Sequence, residues 1–185
     1  MTLSVTDMFC GAGGSSLGAE MAGAKVELAL NHWPTASVGG GVRVVGLDLS
    51  TRSCGIARTD GRLVTVKPRT GAKDPARRLD EIETGVAAQI HPATELAVIE
   101  GYALHTHAGT LARLGEAAGV VKLWLFRHAI PFVLVPPAAL KQFATGKGNA
   151  SKELMVAACV AAGGCPANDD EADAFWLRRY GLEHG

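Results

Sequence analysis

Residues 42–50, VRVVGLDLS, set a carboxylate, Asp48, near the end of a nearly continuous apolar, Val-rich run. Such a run suits a central strand buried on both faces. An unpaired ionised carboxylate in that setting is costly unless a cation or several hydrogen-bond donors meet it. The segments that follow supply the rest of an α/β core. SCGIART reads as a second strand and RLVTVKP as a third, joined by the hairpin signal Asp60-Gly61, so the three are expected to form an antiparallel meander. ARRLDEIETGVAAQI places Leu79, Ile82, Val86 and Ile90 on one helical face. ELAVIEGY is a further strand, ending in Glu100, and a helix is expected from about Gly109 to His128. PFVLV is a strand bounded by Pro131 and Pro136. SKELMVAACVAAG predicts a helix entered at Ser151, and DDEADAFWLRRYG a last one ending at Gly181. The order is βββαβαβ followed by helices, an α/β mixed sheet with an antiparallel side.

Ahead of this body, Gly39-Gly40-Gly41 marks a joint, so the chain is expected to divide into residues 1–37, a linker at 38–41 and a body at 42–185. In the first piece LSVTDMF and KVELALNHW read as strands, GAGG as a tight loop and SSLGAEMAGA as a helix, making one βαβ unit. So small a unit cannot bury both faces of a parallel sheet by itself. With 48% hydrophobic and 19% charged residues among 185, the chain is globular, which excludes disorder and collagen-like repeats. Its apolar runs, such as Ala117–Val121, stop far short of the roughly 20 residues a membrane helix needs. The opening MTLSVTDMFC has no basic stretch before an apolar one, so a cytoplasmic protein without a membrane partner is expected. Eighteen basic and eighteen acidic residues cancel, so net charge neither selects nor excludes a polyanionic partner. Cys10, Cys54, Cys159 and Cys165 form no CxxC pair and are expected to stay reduced.

Four acids carry the chemistry. Asp48 and Glu100 lie in or at the end of apolar strands, while Asp170 and Asp173 are three apart on one helix and share a face; the intervening Glu171 points elsewhere. Each has an ordinary explanation alone: Glu100 merely ends a strand, Asp170 caps its helix, Asp173 is solvated. Four together, two of them inside apolar strands, point to convergence on one pocket, where mutual repulsion is relieved by hard divalent cations with oxygen ligands, Mg²⁺ or Mn²⁺. Two such ions can activate a water and stabilise the leaving oxygen in phosphodiester hydrolysis. His105 and His107 have the spacing of a metal pair but no third ligand nearby, and are read as part of a solvated loop.

The blocks VVGLDLSTRSCGIA, AVIEGYA, VPPAALKQFATGKGNASKELM and DDEADAFWL, in that order and spacing over about residues 42–180, resemble the motifs of RuvC-type Holliday-junction resolvases. The resemblance implies an RNase H-like mixed five-stranded sheet flanked by helices, and a homodimeric, metal-dependent endonuclease of branched DNA. It implies that Asp48, Glu100, Asp170 and Asp173 bind two metal ions, with Asp48 bridging them. Lys141 and Lys152 fall where the family places basic residues near the scissile phosphate, and Lys147 is a further candidate in the same Gly-rich loop. Near a helix N-terminus Lys152 opposes the macrodipole, so its position calls for a reason other than helix stability. The sequence departs from the bacterial pattern after the strand-ending acid: Glu100-Gly101-Tyr102 displaces the aromatic that stacks at the junction centre. Tyr102 either substitutes for it or is a packed side chain. The compact sequence is more similar to phage resolvase-like proteins, so branched DNA in general is the expected substrate.

Residues 5–36 resemble the first motif of cytosine-5 DNA methyltransferases, where Phe9, Gly11 and Gly13 would shape the S-adenosylmethionine loop. No Pro-Cys dipeptide supplies that family's nucleophile, and an isolated βαβ unit lacks the rest of the pocket. The segment is read as a truncated or fused βαβ remnant, with S-adenosylmethionine binding not expected. Two other readings compete with a nuclease: a catalytically silent branched-DNA-binding module, and a methyltransferase fragment. GLDLSTRSCGIA is also similar to the phosphate loop of actin-like sugar kinases, but those repeat the domain and this chain has space for one copy.

Overall fold

The structure, a computed structural model, describes residues 4–7, 25–29, 42–69, 74–102 and 108–185. The chain divides into two units, Met1–Val38 and Gly39–Gly185. In the first, β1 (Ser4–Asp7) pairs in parallel with β2 (Lys25–Ala29). The loop and helix expected between them, with Phe9, Gly11 and Gly13, lie outside the described residues, as do His105 and His107.

The second unit is built on five strands: β3 (Val44–Asp48), β4 (Cys54–Ala57), β5 (Leu63–Val66), β6 (Leu96–Glu100) and β7 (Phe132–Val135). Their order across the sheet is β5-β4-β3-β6-β7. β3, β4 and β5 are the expected antiparallel meander, and β3, β6 and β7 run parallel. Among the described residues five helices cover the sheet: α1 (Pro75–Ala87), α2 (Ala108–Arg127), α3 (Pro137–Thr145), α4 (Lys152–Ala161) and α5 (Asp169–His184). Strand alternation divides the apolar residues between two faces. Val45, Leu47, Cys54, Ile56, Ala97 and Ile99 meet Ile82 and Val86 of α1 and Val121 and Leu125 of α2. Val44, Val98 and Val135 meet Leu140 of α3, Met155 and Cys159 of α4, and Trp176 and Leu177 of α5. Cys54 and Cys159 are buried free thiols, and Cys165 is an exposed one.

The helix α5 lies directly on the sheet because two strand positions beneath it lack side chains. A Cβ at Gly46 would come within 2.1 Å of the Ala174 carbonyl oxygen, and one at Gly55 within 2.0 Å of the Asp170 carbonyl oxygen. Asp170 therefore sits over the end of β3 where Asp48 pairs with Gly55, and Ala174 sits further back over Gly46. The helix runs opposite to β3, and its N-terminal turn reaches the strand end that carries Asp48.

Two expected boundaries move. Gly181 does not end the last helix, which continues to His184; a Cβ there would meet Val98 Cγ2 at 2.5 Å and Val44 Cγ1 at 2.8 Å, so that glycine serves helix-on-sheet contact. Ile90 is buried as expected but lies past the end of α1, in the turn that leads back toward the sheet. Gly46→Ala is expected to destabilise the chain by roughly 1–3 kcal/mol through overpacking against helix backbone. The same exchange at Gly119 of α2, where nothing lies within 4 Å of the added carbon, is expected to stabilise slightly. Thermal unfolding of the two variants checks the opposite signs.

Candidate active site

Strand register brings the first two acids together. β3 and β6 run parallel with Gly46 opposite Val98, so continuing that register sets Asp48 beside Glu100, on the α5 face at the same end of both strands. Glu100 pairs in turn with Val135, and the Gly101 N–H donates to the Val135 carbonyl at 2.8 Å. Asp170 and Asp173 arrive from above, in the first turns of α5, where the helix dipole favours negative charge. Asn168 caps that helix, accepting from the Glu171 N–H at 3.0 Å, so Asp170 is free of the capping role.

The four acids act on one another electrostatically. Burial, the largest cause, pushes the Asp48 carboxyl well above the usual range, and the charges of Glu100, Asp173 and Asp170 push it further. Burial, then Asp173, raises Glu100 to about 7. Burial, then Asp169, raises Asp173 to about 6. Lys152 opposes the rise at all three, and Lys141 at Glu100 and Asp173. Two of the three lysines that the sequence singles out, Lys141 and Lys152, therefore act on the acids electrostatically. Lys141 comes from α3, which follows directly from β7; Lys152 opens α4.

Lys152 has a partner the sequence reading did not name. Its Nζ donates to Asp169 Oδ2, which holds the ammonium up and the Asp169 carboxyl down in pKa. This ion pair supplies the reason for a cation at the unfavourable end of a helix. Lys147 stands apart: it is exposed, in the turn after α3, where its N–H donates to Thr145 Oγ1 at 3.2 Å. Tyr102 is half-buried against the α1–α2 core, with Lys122 Nζ 5.3 Å from its ring centroid. Glu171 points away from the centre, as its helical position dictates. Its Oε1 accepts from Thr65 Oγ1 at 2.6 Å and its Oε2 from the Ala167 N–H at 2.7 Å. The pattern Asn168-Asp-Asp-Glu171 signals this cap in the sequence, but its reach to β5 is not legible there.

Among the described residues, no protein group donates a hydrogen bond to Asp48, Glu100, Asp170 or Asp173. Half-buried carboxylates without protein donors, all hard oxygen ligands, suit a divalent cation such as Mg²⁺ or Mn²⁺. Their association here is electrostatic: among the described residues, no three His, Cys, Asp or Glu side chains form a group that holds a metal ion as placed.

Fold and site together define an RNase H-like α/β protein with an acidic centre at the ends of its central parallel strands. The family described as crossover junction endodeoxyribonuclease RuvC matches residues 44–177. The chain belongs to this RuvC family. It is 32% identical over 155 residues to the RuvC of Synechococcus sp. (strain WH7803), covering 78% of this chain and 94% of that protein. It is 33% identical over 140 residues to the RuvC of Anaeromyxobacter dehalogenans (strain 2CP-1 / ATCC BAA-258), covering 71% and 76%. The Thermus thermophilus RuvC structure shares the fold, with a TM-score of 0.60 at 22% identity over 76% of this chain and 92% of that one. The T. thermophilus RuvC in complex with Holliday junction substrate gives 0.62 at 25% identity, over 76% and 91%.

The raised acids make a signed prediction. Burial favours the neutral form, so the folded chain holds extra protons between the ordinary and raised values, 4.5 to about 7 for Glu100 and 3.8 to about 6 for Asp173. Stability therefore falls as pH rises through that window. In chelator the melting temperature is expected to drop between about pH 5 and about pH 7.5, and Glu100→Gln to flatten the drop. Added Mn²⁺, which favours the ionised acids, should raise the melting temperature more at the higher pH. Equal gains at both values would contradict a carboxylate metal centre.

Proposed function

We propose that this chain is a divalent-metal-dependent, structure-selective endodeoxyribonuclease that nicks branched DNA such as Holliday junctions. The observation that carries this reading is the register that sets Asp48 beside Glu100 at the ends of β3 and β6, with the first turns of α5, which carry Asp170 and Asp173, over the same end of the sheet. Membership of a family of crossover junction endodeoxyribonucleases supports it. So does the likeness to a RuvC described in complex with Holliday junction substrate.

Two Mg²⁺ or Mn²⁺ ions, when bound, supply an activated water and stabilise the leaving oxygen of the phosphodiester. Asp48, central in the sheet and acted on by the other three acids, would hold the metal. Glu100 and the pair Asp170 and Asp173 would complete the oxygen set from the neighbouring strand and from above. Lys141 and Lys152 offset the acids and would give the DNA phosphate a positive partner; the exposed Lys152, paired with Asp169, would hold it. Lys147, exposed in the turn after α3, would give the DNA backbone a further positive contact. Tyr102 is assigned a packing role beneath Lys122.

Symmetric nicking of a branched junction calls for two copies, and we assign the chain a homodimeric state. The exposed Leu123 and Phe126, one turn apart on α2, are compatible with it. Among the described residues no helix is long and apolar enough to cross a membrane, and a cytoplasmic location would give access to DNA.

Labelled four-way, three-way and linear duplexes incubated with Mg²⁺ test the reading directly. Nicking confined to branched DNA is expected, and Asp48→Asn should reduce it by more than about a hundred-fold, beyond the usual cost of losing a group that merely supports a ligand. Junction binding without cleavage in either Mg²⁺ or Mn²⁺ would instead identify a silent binding module.

A further inference from the structure

The acid run Asp169–Asp173 contains a carboxylate that the proposed chemistry does not use. Glu171 is only 6% exposed, although glutamate is rarely buried without a partner. Both of its oxygens are taken, one by the Thr65 hydroxyl of β5 and the other by the Ala167 N–H. Thr65 Oγ1 also accepts from Asn168 Nδ2 at 2.8 Å, and Asn168 Oδ1 accepts from the Glu171 N–H. These bonds, closed through the Glu171 main-chain N–H, form a ring between the start of α5 and a strand more than a hundred residues earlier in the chain. Capping alone does not account for this. Asn168 already caps the helix, and a cap needs no partner on a strand.

Thr65 lies directly opposite Gly55 in the β4–β5 pairing, so both face α5. Gly55 admits the Asp170 carbonyl to the sheet, and Thr65 holds Glu171 one residue further on. Two neighbouring anchor points on adjacent strands constrain how far the helix can roll. Asp170 and Asp173 project from the same turns, so a roll of α5 about its axis would swing them away from Asp48.

We propose that Thr65, Asn168 and Glu171 form a latch that sets the rotation of α5, with Glu171 a positioning residue that aims Asp170 and Asp173 at Asp48 while its own carboxylate is withheld from the metal. This inference rests on the metal-binding reading above. Outlying partners that orient ligands typically carry a ten-fold or larger share of metal affinity.

Thr65→Val keeps the β-branched shape of a strand residue but removes the hydroxyl, whereas Thr65→Ser keeps the hydroxyl. Mn²⁺ binding to the full chain without DNA, followed by the electron paramagnetic resonance signal of free Mn²⁺, reads the latch without relying on cleavage. Ile82→Val, in the core on the opposite face of the sheet, is the control for general loss of stability. Thr65→Val is expected to weaken Mn²⁺ binding about ten-fold, Thr65→Ser to restore it, and Ile82→Val to leave it unchanged. Wild-type affinity in Thr65→Val would overturn the latch, as would an equal loss in Ile82→Val. Failure of the unaltered chain to bind Mn²⁺ would overturn the metal-binding reading and the latch with it.

Discussion

Direct contact between the backbone of α5 and strands β3 and β4 is the constraint on which the site depends. At Gly46 and Gly55 the sheet offers bare Cα positions, and helix carbonyls occupy the space that side chains would take. Close approach brings the first turn of α5 down onto the end of β3. A larger residue at either position would lift the helix, and the turns that carry Asp170 and Asp173 would no longer lie over the strand end of Asp48. Packing and chemistry are therefore set by the same two residues. The apolar cluster of Val44, Val98, Trp176 and Leu177 gives the contact its driving force, because burying such side chains contributes about 1.5–3 kcal/mol each.

Partial burial makes that end of the sheet unfavourable to its acids. Asp48, Glu100 and Asp173 each lose solvation and each feel like charges, and both effects favour protonation. The lysines relieve part of the repulsion from the rim. A divalent cation would relieve more, since it acts on several carboxylates at once. The five-residue run from Asp169 to Asp173 shows how a helix separates acids that are adjacent in sequence. At about 100° per residue, Asp169 turns to Lys152, Asp170 and Asp173 turn to the sheet end, and Glu171 turns to Thr65.

Much of this is legible in the sequence. Strand order in the meander, both parallel strands and the last two helices follow from apolar period and turn chemistry, which are local properties. The acids were legible for a different reason: a carboxylate inside an apolar strand has to be explained, and two such strands with a same-face helical pair suggested one site. The misses share a cause. Gly181 carries the signature of a helix end, yet its lack of a side chain serves contact with Val44 and Val98, which lie over eighty residues away. The partner of Lys152 and the reach of Glu171 to Thr65 are likewise long-range, and residue type alone does not specify them.

The amino-acid order by itself determined which segments form strands and helices, which residues are apolar enough to be buried, and which acids need compensation, because each follows from neighbours within a few positions. Only the tertiary structure decided that the β3–β6 register aligns Asp48 with Glu100, that α5 descends at the matching end, and that Glu171 turns away. Those outcomes depend on distances between elements. Such distances are set by side-chain volume and hydrogen-bond geometry across the core, and no window along the chain contains both partners.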